Sequence, residues 1–186
     1  EEEFWNVLAK FKKNNKRTHD FLMKSSVEFQ TSVFHLCQKI LKEESFPKKF
    51  QKTTLQMIWK KKGRKEDLQS NCFIHSKDWL PRTVEALAVS KMKPAILEKT
   101  FCFQIGGRPG HRPQEHLFVV KSILLKFEMQ RRLCILNIHD IQAFFDRERL
   151  DGVCNTLYEM EADRSALRCW AKLNEDTVIR CVTSVR

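Results

Sequence analysis

Glycine and proline are scarce, five of each in 186 residues, and tyrosine occurs once. With 42% hydrophobic residues and 14 phenylalanines, the composition excludes a disordered or low-complexity chain and implies one that folds and buries a core. No apolar run approaches the length of a membrane span and no signal peptide opens the chain, so no membrane partner is expected. The seven cysteines are scattered, odd in number and without a Cys-x-x-Cys pair. That excludes a disulfide scaffold and implies a reducing intracellular compartment, nuclear or cytoplasmic. Cys72 and His75 have ligand-like spacing, but no second pair follows, so zinc is not expected. GGRPG matches neither GxGxxG nor GxxxxGK[ST], which sets aside nucleotide binding of those kinds. His111 and His116 in HRPQEH are five apart and lack HExxH spacing, and no serine or cysteine sits in a GxSxG context. Zincin and acyl-transfer chemistry therefore have no support.

What is abundant is positive charge. Lys and Arg total 34 against 23 Asp and Glu, for a net +11 and a pI near 9.4. The excess is amino-terminal, because residues 1–65 carry a net +9 and residues 66–186 only +2. Such a block favours a polyanion, most simply a nucleic-acid backbone, through phosphate neutralisation and counterion release. A solvated Lys-rich surface is the competing reading.

Periodicity predicts a mixed α/β, helix-rich chain. Residues 3–13 suit a short basic helix. Residues 20–43 place Val33, Phe34, Leu36, Cys37, Ile40 and Leu41 on one helical face until SFP at 45–47 ends the run. Thr53, Leu55, Met57 and Trp59 alternate, KKKGRKEDLQS intervenes, and NCFIH returns, which predicts a β-hairpin with a long basic tip. Leu80, Val84, Leu87 and Ala88 predict a helix that stops or kinks before Pro94. After the glycine-rich loop of 103–118, Leu117, Val120, Ile123, Leu124 and Phe127 predict an amphipathic helix with those residues inward. Cys134, Leu136 and Ile138 alternate towards Asp140, which predicts a half-buried strand. A helix from about Arg147 to Glu161, a polar turn and a last helix–strand stretch complete the chain.

Three features carry candidate chemistry. At the hairpin tip, Lys60, Lys61, Lys62, Arg64 and Lys65 project where lysines reach phosphates, and Lys10, Lys12, Lys13, Lys16 and Arg17 add to the same field. The glycine loop reads on its own as structural, and the alternative is that its glycines, beside Arg108, His111 and Arg112, let the backbone lie close to a phosphate. Asp140, at the carboxyl end of a strand, sits where mixed sheets place ligands, and its hard oxygens suit Mg²⁺. A helix cap is an equal alternative for Asp140, and the simpler role for Asp146.

In order, IWKKKG, LPRTVEAL, FQIGGRPGHRPQEHLF and NIHDIQAFFD resemble the reverse transcriptase domain of a non-LTR retrotransposon, from about Phe46 onward and most closely over residues 101–150. The resemblance implies the fingers and incomplete palm of a right-hand polymerase fold, with residues 1–131 fingers-like and 132–186 the beginning of the palm. It makes Asp140 the catalytic metal ligand, joined by the backbone carbonyl of Ile141, with Mg²⁺ as cofactor. Phe145 would pack beneath the sugar of an incoming dNTP, and a lysine among Lys60, Lys61 and Lys62 would meet its triphosphate. Arg64, Lys65, Gln104, Gly106, Gly107 and Arg108 would lie along the nucleic acid. The implied partners are an RNA template, a DNA primer and dNTP, with no stable protein partner. Two departures stand out. Cys72 lies near the position where the family usually has an arginine, and the Tyr-x-Asp-Asp signature is absent, Tyr158 being followed by Glu159 and Met160. Two-metal phosphoryl transfer needs several carboxylates. A fragment cut at both ends and inactive alone is therefore expected, prone to self-association through an open palm. A non-catalytic nucleic-acid-binding module using the same hairpin is the alternative.

Overall fold

The computed structural model describes residues 2–11, 16–47, 52–141, 148–175 and 178–182. Helices α1 (Glu2–Phe11), α2 (Lys16–Lys24) and α3 (Val27–Glu43) precede strands β1 (Lys52–Trp59) and β2 (Asn71–Lys77). Then follow α4 (Trp79–Lys99), α5 (Pro113–Met129), α6 (Leu150–Glu159), α7 (Arg164–Glu175) and β3 (Val178–Val182). The fold is mixed α/β and helix-rich. Where one helix was expected over 20–43, two form. Ser26 accepts a hydrogen bond from the Phe29 amide at 3.3 Å and caps α3, because a serine hydroxyl competes better for a free helix-end amide than it tolerates a helix interior.

The core gathers on α4. Leu80, Val84, Leu87, Ala88 and Met92 form one helical stripe and are all buried, Val84 and Ala88 completely. Against it pack Phe4, Val7 and Leu8 of α1, Val33, Cys37, Ile40 and Leu41 of α3, and Ala166, Leu167, Cys169 and Leu173 of α7. Each fully buried aliphatic contributes roughly 1.5–3 kcal/mol. Pro94 neither stops nor ends α4, which runs on to Lys99. Ala95 and Ile96 beyond it still pack on the core, and that burial outweighs the lost backbone hydrogen bond. Of the expected inward face of α3, Leu36 is exposed and Phe34 only partly buried.

The sheet has the order β2-β1-β3, with β1 and β2 antiparallel and β1 and β3 parallel. The expected hairpin is therefore present, and Thr53 faces Lys77 at its base while Trp59 faces Asn71 at its tip. A polar cluster fixes the base to the helices. The Lys77 ammonium donates to Asn174 Oδ1 at 2.6 Å and to Glu85 Oε1 at 3.3 Å, and Asn174 Nδ2 donates to the Trp170 carbonyl at 2.7 Å. β2 is thereby tied to both α4 and α7, and the distal half of the hairpin stands away from the body with Met57, Ile58, Trp59, Phe73 and Ile74 exposed.

Two expectations fail. α5 forms, but none of Leu117, Val120, Ile123, Leu124 and Phe127 is buried, since no described element covers that face. Residues 132–141 form no strand. Alternation alone does not make one, because backbone amides and carbonyls must find a neighbouring ladder. Among the described residues none pairs with this segment, and the strand that joins the free edge of β1 is β3. Asp140 therefore does not end a strand.

Candidate nucleic-acid interface

The hairpin tip is a structured loop. The Lys60 amide donates to the Ser70 carbonyl at 2.9 Å, which closes the ladder. Buried Asn71 sends its Nδ2 to the carbonyls of Lys65, at 2.8 Å, and Asp67, at 2.7 Å. Asp67 caps the short turn Leu68–Ser70 by accepting from the Gln69 amide at 3.1 Å. Gly63 adopts φ +71, a conformation that glycine holds without strain, and a Cβ there would press on the Ser70 hydroxyl. Apart from the Asp67 carboxylate, these bonds use backbone and uncharged groups. Lys61, Lys62, Arg64 and Lys65 consequently stand outward, exposed and without an ion pair among the described residues. Lys60 differs slightly, its ammonium reaching the Gln69 carbonyl at 3.3 Å.

Such a tip suits phosphate contact. Four cations held on a pinned loop meet a polyanion without first ordering the backbone, and their exposure lets bound counterions leave into bulk solvent. The sequence pointed to the lysines but missed Asn71 and Asp67, which set the loop. The signal available was an aspartate three residues before a serine in a turn, the pattern of a local side-chain cap.

The glycine loop distributes its groups differently from expectation. Gly106 and Gly107 are exposed, with nothing within 4 Å of where a Cβ would stand, and Gln104 is exposed beside them. Arg108 is half-buried instead. Its Nη2 donates to the Leu97 carbonyl at 3.1 Å and its Nη1 to the Phe101 and Cys102 carbonyls at 3.4 Å. The guanidinium thus caps the carboxyl end of α4, where a cation is favourable. His111 bonds Glu115 Oε2 at 2.8 Å, and that hydrogen bond, aided by the Arg112 amide, holds the Glu115 carboxyl below the usual range.

Asp140 and Ile141 lie in the exposed irregular segment, Ile141 with 63% of its surface open. Phe145 and Asp146 lie outside the described residues, as do Lys12 and Lys13. Mg²⁺ needs near-octahedral oxygen ligation. Among the described residues no group of three or more His, Cys, Asp or Glu could hold a metal ion, and Asp140 is the only one of the expected Mg²⁺ ligands with a carboxylate among them. No hydrogen bond or ion pair among the described residues joins the hairpin tip, the glycine loop and Asp140. The thiols are equally unsuited to nucleophilic work where they are buried, since burial pushes Cys37 up to about 12 and Cys169 up to about 11. Cys72 is exposed opposite Ile58. No helix among the described residues is long and apolar enough to cross a membrane. No family model, curated protein or solved structure matches the chain.

Proposed function

We propose that this chain binds nucleic acid through the tip of its β1–β2 hairpin and represents the fingers side, with the beginning of the palm, of a reverse transcriptase of the non-LTR retrotransposon kind. The observation that carries the binding is the tip itself, four exposed cations without ion-pair partners on a loop fixed by Asn71 and Asp67. The polymerase assignment is supported by the ordered motifs from IWKKKG to NIHDIQAFFD, in which RNA template, DNA primer and dNTP are the partners and Asp140 the catalytic carboxylate. Two-metal phosphoryl transfer needs several carboxylates, and the described residues bring none to Asp140, so no catalytic step is assigned to this chain by itself. A non-catalytic nucleic-acid-binding module is the second reading, which the same exposed cations of the tip serve.

Titration of a fluorescent RNA oligomer with the chain tests the binding. Replacing Lys61, Lys62, Arg64 and Lys65 together by Gln is expected to weaken it by more than tenfold at moderate salt while the fold is kept, because none of the four side chains bonds within the loop and the Lys65 carbonyl that Asn71 meets is backbone. Unchanged affinity would overturn the proposal. The polymerase reading separates from the module at Asp140. In a chain completed with the missing carboxylates, Asp140→Ala should abolish dNTP incorporation and leave RNA binding intact.

A further inference from the structure

Between α4 and α5 the chain makes a tight turn over residues 101–104. α4 closes with the Thr100 amide on the Ile96 carbonyl at 3.0 Å, and the Gln104 amide then folds back to the Phe101 carbonyl at 3.0 Å. This turn sets Phe101 and Phe103 side by side, their ring centroids 5.3 Å apart and their planes within 6° of parallel. Both rings face solvent, with 69% and 72% of their surfaces exposed. Two adjacent phenylalanines that open to water are costly to leave uncovered, since each ring buries a large apolar area when it finds a partner.

Three observations narrow the partner. The stacked pair presents flat π-faces, where an aliphatic side chain would present a rounded contour. The turn is held in place from behind, because Arg108 donates to the carbonyls of Phe101 and Cys102 as well as to that of Leu97. The platform is therefore ordered before any ligand arrives, which lowers the entropic cost of binding. Finally, exposed Arg112 stands in the same loop without an ion pair among the described residues, whereas Lys99 pairs with Glu161 at 3.4 Å and His111 with Glu115 at 2.8 Å. A flat, apolar partner attached to negative charge is an unpaired nucleobase.

We infer that Phe101 and Phe103 form a stacking platform for an unpaired base of single-stranded nucleic acid. A base has an open π-face only when it is out of a duplex, so the platform discriminates single strands from duplexes, whereas the hairpin tip meets phosphates of either. The inference rests on the nucleic-acid reading proposed above and adds to it the form of the ligand. Arg108 has the part of holding the turn and not of touching phosphate.

The test uses the full chain and a short oligouridylate carrying one 2-aminopurine, alone and annealed to its complement. Binding of the single strand is expected to quench the 2-aminopurine, and the single strand to be preferred over the duplex. Phe101→Ala with Phe103→Ala should remove the quenching and weaken single-strand binding by about 5- to 150-fold, the range for loss of one stacked base, with duplex binding unchanged. Phe101→Trp should keep the quenching. Circular dichroism of the double variant checks the fold, which the exposure of both rings protects. Retained quenching and affinity in the double variant would overturn the platform and leave the hairpin proposal standing. Absence of salt-dependent binding to either oligomer by the unaltered chain would bring down both. A change confined to self-association would show that the rings meet protein, and would also overturn the inference.

Discussion

α4 and α5 are helices of similar kind and opposite fate. α4 has 21 residues, seven of them buried, while α5 has 17 and buries none. Both carry apolar residues at helical spacing, and both have ends that the sequence marks. The difference is in what lies beside them. α4 is enclosed by α1, α3 and α7, whereas the apolar side chains of α5, among them Leu117, Phe118, Ile123 and Leu125, stay open. The lesson is that periodicity reports a face and says nothing of its cover.

This contrast can be tested by truncating one residue in each helix. Met92 is 1% exposed and Leu124 is 38% exposed. Met92→Ala should cost about 2–5 kcal/mol in urea denaturation, through lost burial and the cavity left behind. Leu124→Ala should fall within about 0.5 kcal/mol, as surface substitutions do. Equal costs would mean that α5 is packed after all.

A second consequence concerns the open faces. Leu117, Phe118, Val119, Ile123, Leu124 and Leu125 lie exposed along α5. Apolar side chains exposed together in this way should drive concentration-dependent self-association, visible by light scattering and reduced when Leu117 and Leu124 are both changed to Glu. A sharp monomer from the unaltered chain at high concentration would contradict the exposure of α5.

The smallest effect belongs to the packed side. Cys37 is pushed up to about 12 and Cys169 up to about 11 by burial, while unfolded thiols ionise near 8.5 or so. A raised folded value means that the folded chain holds the proton longer than the unfolded one. The stabilisation from these thiols is therefore complete below about pH 8.5 and is lost as pH rises towards their folded values. The urea midpoint should decline over that window, and Cys37→Ala with Cys169→Ala should flatten the decline relative to the unaltered chain.

Much of the fold was legible for physical reasons that also mark where reading stopped. The hairpin could be seen because alternation on both sides of a basic, glycine-containing turn has one simple solution. The segment from Cys134 to Ile138 alternates as well, yet it forms no strand, because a ladder needs a second strand that the sequence pattern does not name. At the site, the lysines of the tip were legible from charge and exposure, while Asn71 was not, since an asparagine at a strand end gives no hint that its amide will hold two carbonyls. Arg108 was read as a phosphate contact from its glycine neighbours, and the end of α4 turned out to be a nearer acceptor. The exposed Phe101–Phe103 pair was hidden for the opposite reason, because phenylalanine is ordinarily counted into the core.

The central claim is that the hairpin tip meets phosphates. The dependence of the RNA association constant on salt tests it most directly, because each phosphate neutralised on a single strand adds about 0.7 to the negative slope of log K against log salt. The unaltered chain should show a slope steeper by about 3 than the chain with Lys61, Lys62, Arg64 and Lys65 replaced by Gln. Parallel slopes for the two chains would contradict the account and move the basic surface that binds nucleic acid, if one does, away from the tip.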